Sequence, residues 1–312
     1  MYRKIISLVC LLGLPLAACD SGSPPAASGQ LEEVAPVLEG VWQRAEIVVE
    51  GGHDAGSHLV DVQPSLYIFS KTHYALAAVE GFTPRAFLGE EPTDADRGRA
   101  LIPYAGEMGT YAVEGDKLKL KPMVAKDPAA MQSAQGSEFA IVWDGIEVWL
   151  NTTAPDGGTV KTRLTRVDDD VRLATEGARR LAGVWRRAEM IVGSGPDAGP
   201  HSDDMQPGYY IFTPRAFVGT YVSAFAPRPP LGNNPTDDAW GKNYTSFVSF
   251  GGTYALRDGV LILRGAVSAN PGNMQGRPFQ SINVQWEGED VWFIYTNAAG
   301  IENRTRLVRV PD

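Results

Sequence analysis

Cysteine is almost absent from this chain of 312 residues: there are two, Cys10 and Cys19, and both fall at the N-terminus. Everything downstream lacks a disulfide, a thiol nucleophile or a thiolate metal site, and has to be held together by burial. Histidine is nearly as scarce, with His53, His58, His73 and His201 the full complement of 4. No His-x-x-x-His pair occurs, and a mononuclear zinc site takes three or four protein ligands, so neither a metal centre nor a cofactor is expected. Positive charge is in deficit as well, with 28 Lys and Arg against 37 Asp and Glu and a formal net charge of -9. A surface that acidic is repelled by phosphate backbones, which argues against nucleic-acid binding. Finally, the apolar run at the N-terminus, Ile5 to Ala18, is about 14 residues, short of the roughly 20 that a membrane-spanning helix needs.

That run follows Arg3 and Lys4 and ends in small residues before Cys19, the layout of an export signal. Leu16-Ala17-Ala18-Cys19 resembles the lipobox of bacterial lipoproteins. The resemblance implies a signal at 1–18 that is removed, a diacylated thiol on Cys19, acylation of the new amino terminus, and a membrane held through that lipid. Residues 19–37, opening Asp20-Ser-Gly-Ser-Pro-Pro, then read as the lipidated cysteine and a flexible tether. The implied location is the bacterial cell envelope. Asp20 looks like the inner-membrane retention signal of enteric bacteria, a rule confined to that lineage, so the choice between inner and outer membrane stays open. Loss of Arg3 and Lys4 with the signal takes the formal charge from -9 to -11.

The rest of the chain is one unit written twice. Leu38 to Asp168 aligns with Leu181 to Pro311 at a constant offset of 143 without gaps, and about 50 of 131 paired positions are identical. Leu38-Glu-Gly-Val-Trp-Gln-Arg-Ala-Glu46 returns as Leu181-Ala-Gly-Val-Trp-Arg-Arg-Ala-Glu189, and Thr162-Arg-Leu164 with Arg166-Val167 as Thr305-Arg-Leu307 with Arg309-Val310. Solenoid units run about 20 to 50 residues, so a repeat this long is a duplicated domain. Two domains are expected, 38–168 and 181–312, joined by a linker at 169–180 with weak helical character.

Within a unit, runs rich in Val, Ile, Tyr, Phe, Trp and Thr are broken by Gly, Pro, Asn and Asp, which predicts strands. The first unit offers 40–49, 65–79, 108–114, 117–125, 138–144, 146–153 and 160–167. Asp144-Gly145, Glu287-Gly288 and Asp258-Gly259 read as hairpin turns. Pro92-Thr93-Asp94 and Pro235-Thr236-Asp237 predict one short helix per unit. The economical fold is all-β, two tandem antiparallel sheets each closed on itself, since closure removes exposed edges. On the opening strand, alternation puts Trp42, Arg44 and Glu46 on one face, and Trp185, Arg187 and Glu189 likewise.

Gly40-Val-Trp42 and Gly183-Val-Trp185 at the head of each unit, with Thr-Arg-Leu-x-Arg-Val at its tail, are similar to lipocalins and the wider calycin group. The ordered middle blocks (Gln-Pro then Tyr-Ile-Phe, Pro-Thr-Asp, Gly-Thr-Tyr, Met-Gln) resemble bacterial lipocalin-like domains in particular. The resemblance implies an eight-stranded barrel with the Trp packed beneath an arginine of the last strand, so Trp42, Arg163, Arg166, Trp185, Arg306 and Arg309 are expected to be structural. It further implies that Arg44, Glu46, Arg187 and Glu189 project into the cavity and that the loop after the first strand crosses the mouth; the alternative is that Arg44 and Glu46 lie near a barrel end, solvated or paired.

That loop carries the duplicated acid and imidazole pairs Asp54 with His58 and Asp197 with His201. A carboxylate-held imidazole can act as a general base, but no serine, threonine or second carboxylate recurs beside it in a catalytic arrangement, and ligand contact or loop stabilisation explains it as well. The aromatic contacts expected for a ligand are Tyr67, Phe69, Tyr74 and Tyr111, with Tyr210, Phe212, Phe217 and Tyr254; the same rings could instead fill a small barrel. Gly193-Ser-Gly-Pro-Asp-Ala-Gly199 has the wrong spacing for a phosphate-binding loop. A small apolar or amphipathic ligand, bound or carried without catalysis, is the expected role. A non-catalytic structural or interaction module with filled barrels is the alternative, and an isomerase or cyclase working inside the barrel a third. A cavity of about 300 Å³ or more separates the first from the second.

Overall fold

The computed structural model describes residues 37–312, apart from 52–53, 154–156, 168, 171, 173, 275–277 and 298. The export signal, Cys19, the tether to residue 36 and His53 lie outside the described residues. Each repeat is a closed antiparallel barrel. In the first, β1 (Gly40–Glu50), β3 (Ser65–Phe69), β4 (His73–Val79), β5 (Tyr104–Glu114), β6 (Lys117–Ala125), β7 (Ser137–Asp144), β8 (Glu147–Thr153) and β9 (Thr159–Arg166) pair in order, and β9 returns to β1. The short β2 (Gly56–His58) hangs on the far half of β1. The second barrel repeats the plan with β10 (Gly183–Val192), β11 (Gly199–His201), β12 (Gly208–Phe212), β13 (Ala216–Val222), β14 (Phe247–Arg257), β15 (Val260–Ser268), β16 (Pro278–Glu287), β17 (Asp290–Thr296) and β18 (Glu302–Val310). Helices α1 (Asp94–Leu101) and α3 (Asp237–Tyr244) start at Thr93 and Thr236, whose side chains accept from the backbone N–H three residues on. Among the described residues no helix is long and apolar enough to cross a membrane.

Two strand boundaries differ from expectation. The stretch 65–79 is not one strand but β3 and β4 around a tight turn at 70–72, where the Ser70 hydroxyl donates to the His73 carbonyl at 3.0 Å. β5 begins at Tyr104 rather than 108, through the weak strand formers Ala105 and Gly106. Gly106 is small for a reason: a Cβ there would lie 2.6 Å from the Tyr104 ring and 2.7 Å from Ser249 Oγ in the other barrel.

That contact belongs to a broad seam between the barrels, which together form one compact unit over 36–312. Leu66, Ile68, Ala75, Ala77 and Val79 on the outer side of β3 and β4 join Ile211, Ala216, Val218 and Val222 in a single buried cluster. Both faces of these strands are therefore covered, which is why 65–79 shows no clean apolar/polar alternation. Three reciprocal contacts, each repeated at the offset of 143, lock the seam. A Cβ on Gly98 of α1 would lie 1.8 Å from the Asp237 carbonyl oxygen, and one on Gly241 of α3 would lie 1.7 Å from that of Asp94. Arg85 donates to the carbonyls of Ser268 and Ala269 at the end of β15, and Arg228 to those of Ala125 and Lys126 at the end of β6. Asp312, closing the second repeat, accepts from Ser70 and Thr72 in the first barrel, while Asp169, closing the first, accepts from Thr213 and the Arg215 N–H in the second. The stretch 169–180 thus does more than connect: it carries Asp169 and α2 (Glu176–Leu181), whose Ala178 and Leu181 pack into the second barrel's core.

Candidate functional site

One end of each barrel is plugged. Trp42 is fully buried, its indole N–H donating to the Leu38 carbonyl at 2.8 Å, with Arg166 of β9 over its ring at 4.3 Å; Trp185, Leu181 and Arg309 repeat the arrangement. The glycine of Gly-x-Trp is required here. Gly40 and Gly183 sit at φ 134° and 132°, and a Cβ on either would lie 2.4 Å from the arginine Nη1. Phe69 meets Tyr111 edge-on at 5.2 Å and Phe212 meets Tyr254 at 5.3 Å in the same layer, with both tyrosine hydroxyls donating to turn carbonyls, Ser70 and Thr213. These four expected ligand contacts are spent on closing the barrel.

The opening strand does not keep its alternation. β1 shifts register against β9 between Arg44 and Glu46, and β10 shifts against β18 between Arg187 and Glu189. The extra residue of a β-bulge turns everything beyond it over. Arg44 stays inside, opposite Leu164, but Glu46 pairs with Arg163 on the outer surface. There Arg163 bridges Glu46 at 3.0 Å and Glu147 at 2.9 Å, and Arg306 bridges Glu189 and Asp290 in the second barrel. The expectation that Glu46 and Glu189 project into the cavity is therefore corrected by the bulge.

The loop histidines are held differently from expectation. His58 Nδ1 lies 2.9 Å from Asp61 Oδ2, Nε2 lies 2.9 Å from the Asp54 carbonyl oxygen, and the ring stacks on Phe82 at 3.5 Å. His201 repeats this with Asp204, Asp197 and Phe225. Asp54 and Asp197 thus contribute backbone, and the carboxylates come from Asp61 and Asp204. With an acceptor at each ring nitrogen, first the backbone carbonyl and then the carboxylate, both imidazoles have a raised pKa. Both nitrogens are occupied, which fits a loop clasp better than a general base. Asp61, Phe82 and Arg85 all recur at +143, a signal sufficient to have nominated them.

Towards the other end the two lumens diverge. Inside the second, Tyr210, Phe212, Phe217, Phe250 and Phe293 form a continuous set of ring contacts at 5.8–6.4 Å, topped by Tyr221 and Phe279. The first barrel places smaller or polar groups at the matching positions: Tyr74 for Phe217, Ala78 for Tyr221, Glu107 for Phe250, Leu150 for Phe293 and Thr152 for Tyr295. Ser65 opposite Ala78 becomes Gly208 opposite Tyr221, where a Cβ would lie 2.6 Å from Tyr221 Cβ. Inward-facing Leu76, Glu107, Phe139, Val160 and Thr162 are half-buried, whereas their counterparts Gly219, Phe250, Ile282, Asn303 and Thr305 are buried. Leu76 lies on a strand whose outer side is covered by the second barrel, so its accessible surface faces the lumen.

Polar groups line this space. Arg44 donates to the Tyr67 hydroxyl at 2.8 Å, the Val79 carbonyl at 3.1 Å and Glu80 at 2.6 Å. Tyr74 donates to Glu107 Oε1 at 2.9 Å; desolvation raises the pKa of Glu107, partly offset by that hydrogen bond. In the second barrel Arg187 lies over the Tyr221 ring at 4.5 Å and donates to the Val222 carbonyl. Tyr67 and Tyr74 are buried in the core of the first barrel, as their counterparts Tyr210 and Phe217 are in the second. Outside the first lumen a cleft of about 600 Å³ runs between α1 and the segment after β4, with Phe82, Arg85 and Phe87 on its wall and Glu80, the partner of Arg44, at its edge.

No protein-family model and no curated protein sequence matches the chain. Among solved structures, a redesigned β-barrel is similar at 13% identity and TM-score 0.24, covering 43% of this chain and 95% of that one. A protein of unknown function from the DUF3598 family of Nostoc punctiforme is similar at 8% identity and TM-score 0.22, covering 88% of this chain and 96% of that one. At these values neither likeness bears on what the chain does.

Proposed function

We propose that the first barrel binds a small apolar or amphipathic molecule in its lumen without transforming it, and that the second barrel is a filled support. The observation that carries this reading is the contrast between matched positions: Leu76, Glu107, Phe139, Val160 and Thr162 keep accessible surface inside the first barrel where the second has buried residues. Small barrels are either filled by side chains or hold one small ligand, and here the same fold supports both conditions in one chain. The alternative of a filled structural module therefore applies to the second barrel. An enzyme working through Glu46 and Glu189 is disfavoured, because both acids lie outside the lumen in ion pairs. Anchoring through a lipid on Cys19 in a bacterial envelope belongs to the same proposal and rests on the N-terminal sequence.

The test transplants the filling. Replacing Ser65→Gly together with Ala78→Tyr copies the Gly208/Tyr221 pair into the first barrel. The wild type is expected to take up the neutral apolar dye N-phenyl-1-naphthylamine with a rise in its fluorescence, and the double variant to lose that uptake while keeping its unfolding midpoint. Uptake undiminished in a folded variant would place the dye elsewhere and sink the proposal, as would a wild type that takes up no dye.

A further inference from the structure

The open lumen contains one acid that the fold does not need. Glu107 points inward from β5, paired across to Leu76 and Ala125. One carboxylate oxygen accepts from Tyr74; among the described residues the other has no protein partner. Among the described residues no cation is placed beside it either. The Arg44 guanidinium is engaged by Tyr67, Val79 and Glu80, and the side chains of Lys117, Lys119 and Lys121 alternate with inward-facing Leu118 and Leu120, so they lie on the outside of β6.

A carboxylate drawn partly out of water without a cation is disfavoured, and such a group tends to find a partner or become neutral. The second barrel shows that the cost is avoidable, because it replaces Tyr74 and Glu107 together by Phe217 and Phe250, whose rings meet edge-on at 5.8 Å. The acid and its hydrogen-bonding tyrosine are thus present as a pair where there is room for a guest and absent as a pair where there is none. Leu76 on the neighbouring strand lies across from Glu107, and Phe139 and Val160 are further apolar residues of the same inner wall that keep accessible surface. Above this lumen the loop after β2 exposes Leu59 and Val60, where the second barrel has Ser202 and Asp203.

Resting on the reading of the first barrel as the binding site, we infer that its ligand is a small amphipathic amine: an apolar body in the lumen with a protonated nitrogen meeting the free oxygen of Glu107. A charge-assisted hydrogen bond is roughly twice as strong as a neutral one. It also restores the ionised form of a carboxyl that burial otherwise pushes towards neutrality.

Three probes of equal chain length separate the possibilities: octylamine, octanol and octanoate, each displacing N-phenyl-1-naphthylamine from the full chain at pH 7.5. Octylamine is expected to displace the dye at a concentration at least about ten-fold below octanoate, the ratio of one charge-assisted contact. Glu107→Gln keeps the shape and the Tyr74 contact, and is expected to erase the preference for octylamine over octanol. Equal displacement by octylamine and octanoate in the wild type, or an unaltered preference in Glu107→Gln, would overturn the inference. Dye uptake that the Ser65→Gly/Ala78→Tyr variant abolishes, but without amine preference, removes this inference alone; no uptake by the wild type removes it together with the reading beneath it.

Discussion

Gly98 and Gly241 are the positions where the seam between the barrels is most sensitive to a single carbon. Gly98→Ala brings two opposing effects. Alanine in a helix interior is favoured over glycine by about 1 kcal/mol, so a helix free of neighbours would gain. Here the new methyl would sit 1.8 Å from the Asp237 carbonyl oxygen, where ordinary contact begins near 3.4 Å. The obstacle is backbone and cannot swing aside, so α1 and α3 have to part by more than 1 Å. Overpacking of that kind costs about 1–3 kcal/mol, and the clash outweighs propensity. A net loss of up to about 2 kcal/mol lowers the thermal midpoint by about 2–4 °C per kcal/mol, read by differential scanning calorimetry. Gly177→Ala in α2 is the control: its Cβ meets the tip of Leu256 at 3.1 Å, a side chain that can yield, and the midpoint is expected to hold or rise. The double variant Gly98→Ala/Gly241→Ala should fall less than the two single shifts added, because one separation relieves both contacts. A midpoint that rises in Gly98→Ala, as propensity alone requires, would refute the close crossing.

Two further outcomes follow from the same seam and from the loops. Arg228→Met should cost about 1–3 kcal/mol by leaving the carbonyls at the end of β6 without their charged donor; a denaturant midpoint equal to wild type would show that water or a neighbour replaces the contact. His58 and His201 have raised folded pKa values, so their contribution is complete below the unfolded value near 6.5 and is lost as the pH rises through the higher folded value. Imidazole proton resonances titrating at or below 6.5 would contradict the two-acceptor geometry, and His58→Gln should remove the pH dependence of proteolytic cleavage in the 54–61 loop.

Much of the barrel was legible in the sequence because turn chemistry is local. Asp258-Gly259 announces a two-residue hairpin, and the structure holds both residues at positive φ, 49° and 75°, as that turn demands. The bulge at Ala45 was not legible, since alanine is acceptable in a regular strand; it exists because β9 pairs Glu46 with Arg163 rather than Leu164, a relation across 117 residues. The boundary between β3 and β4 was hidden for a related reason. Its outer residues are apolar to meet the second barrel, so the alternation that marks a strand end was overwritten by tertiary burial.

The repeat itself separates architecture from function once both copies are seen folded. Positions that close the barrels and join them are the same in both: Gly40 and Gly183, Trp42 and Trp185, Arg85 and Arg228, Gly98 and Gly241, Arg166 and Arg309, Asp169 and Asp312. Each meets a constraint that either barrel imposes regardless of content, a carbonyl row to be capped or a backbone to be approached. Along the inner wall the copies differ at Ser65, Tyr74, Leu76, Ala78, Glu107, Leu150 and Thr152. These differences are coupled, since Tyr221 needs the missing Cβ of Gly208 and Phe250 needs Phe217 in place of a tyrosine. One set of changes fills the second lumen with contacting rings, and the other leaves Glu107 half-buried in the first. On the proposed reading, the second barrel is the backing against which the first keeps room for a guest.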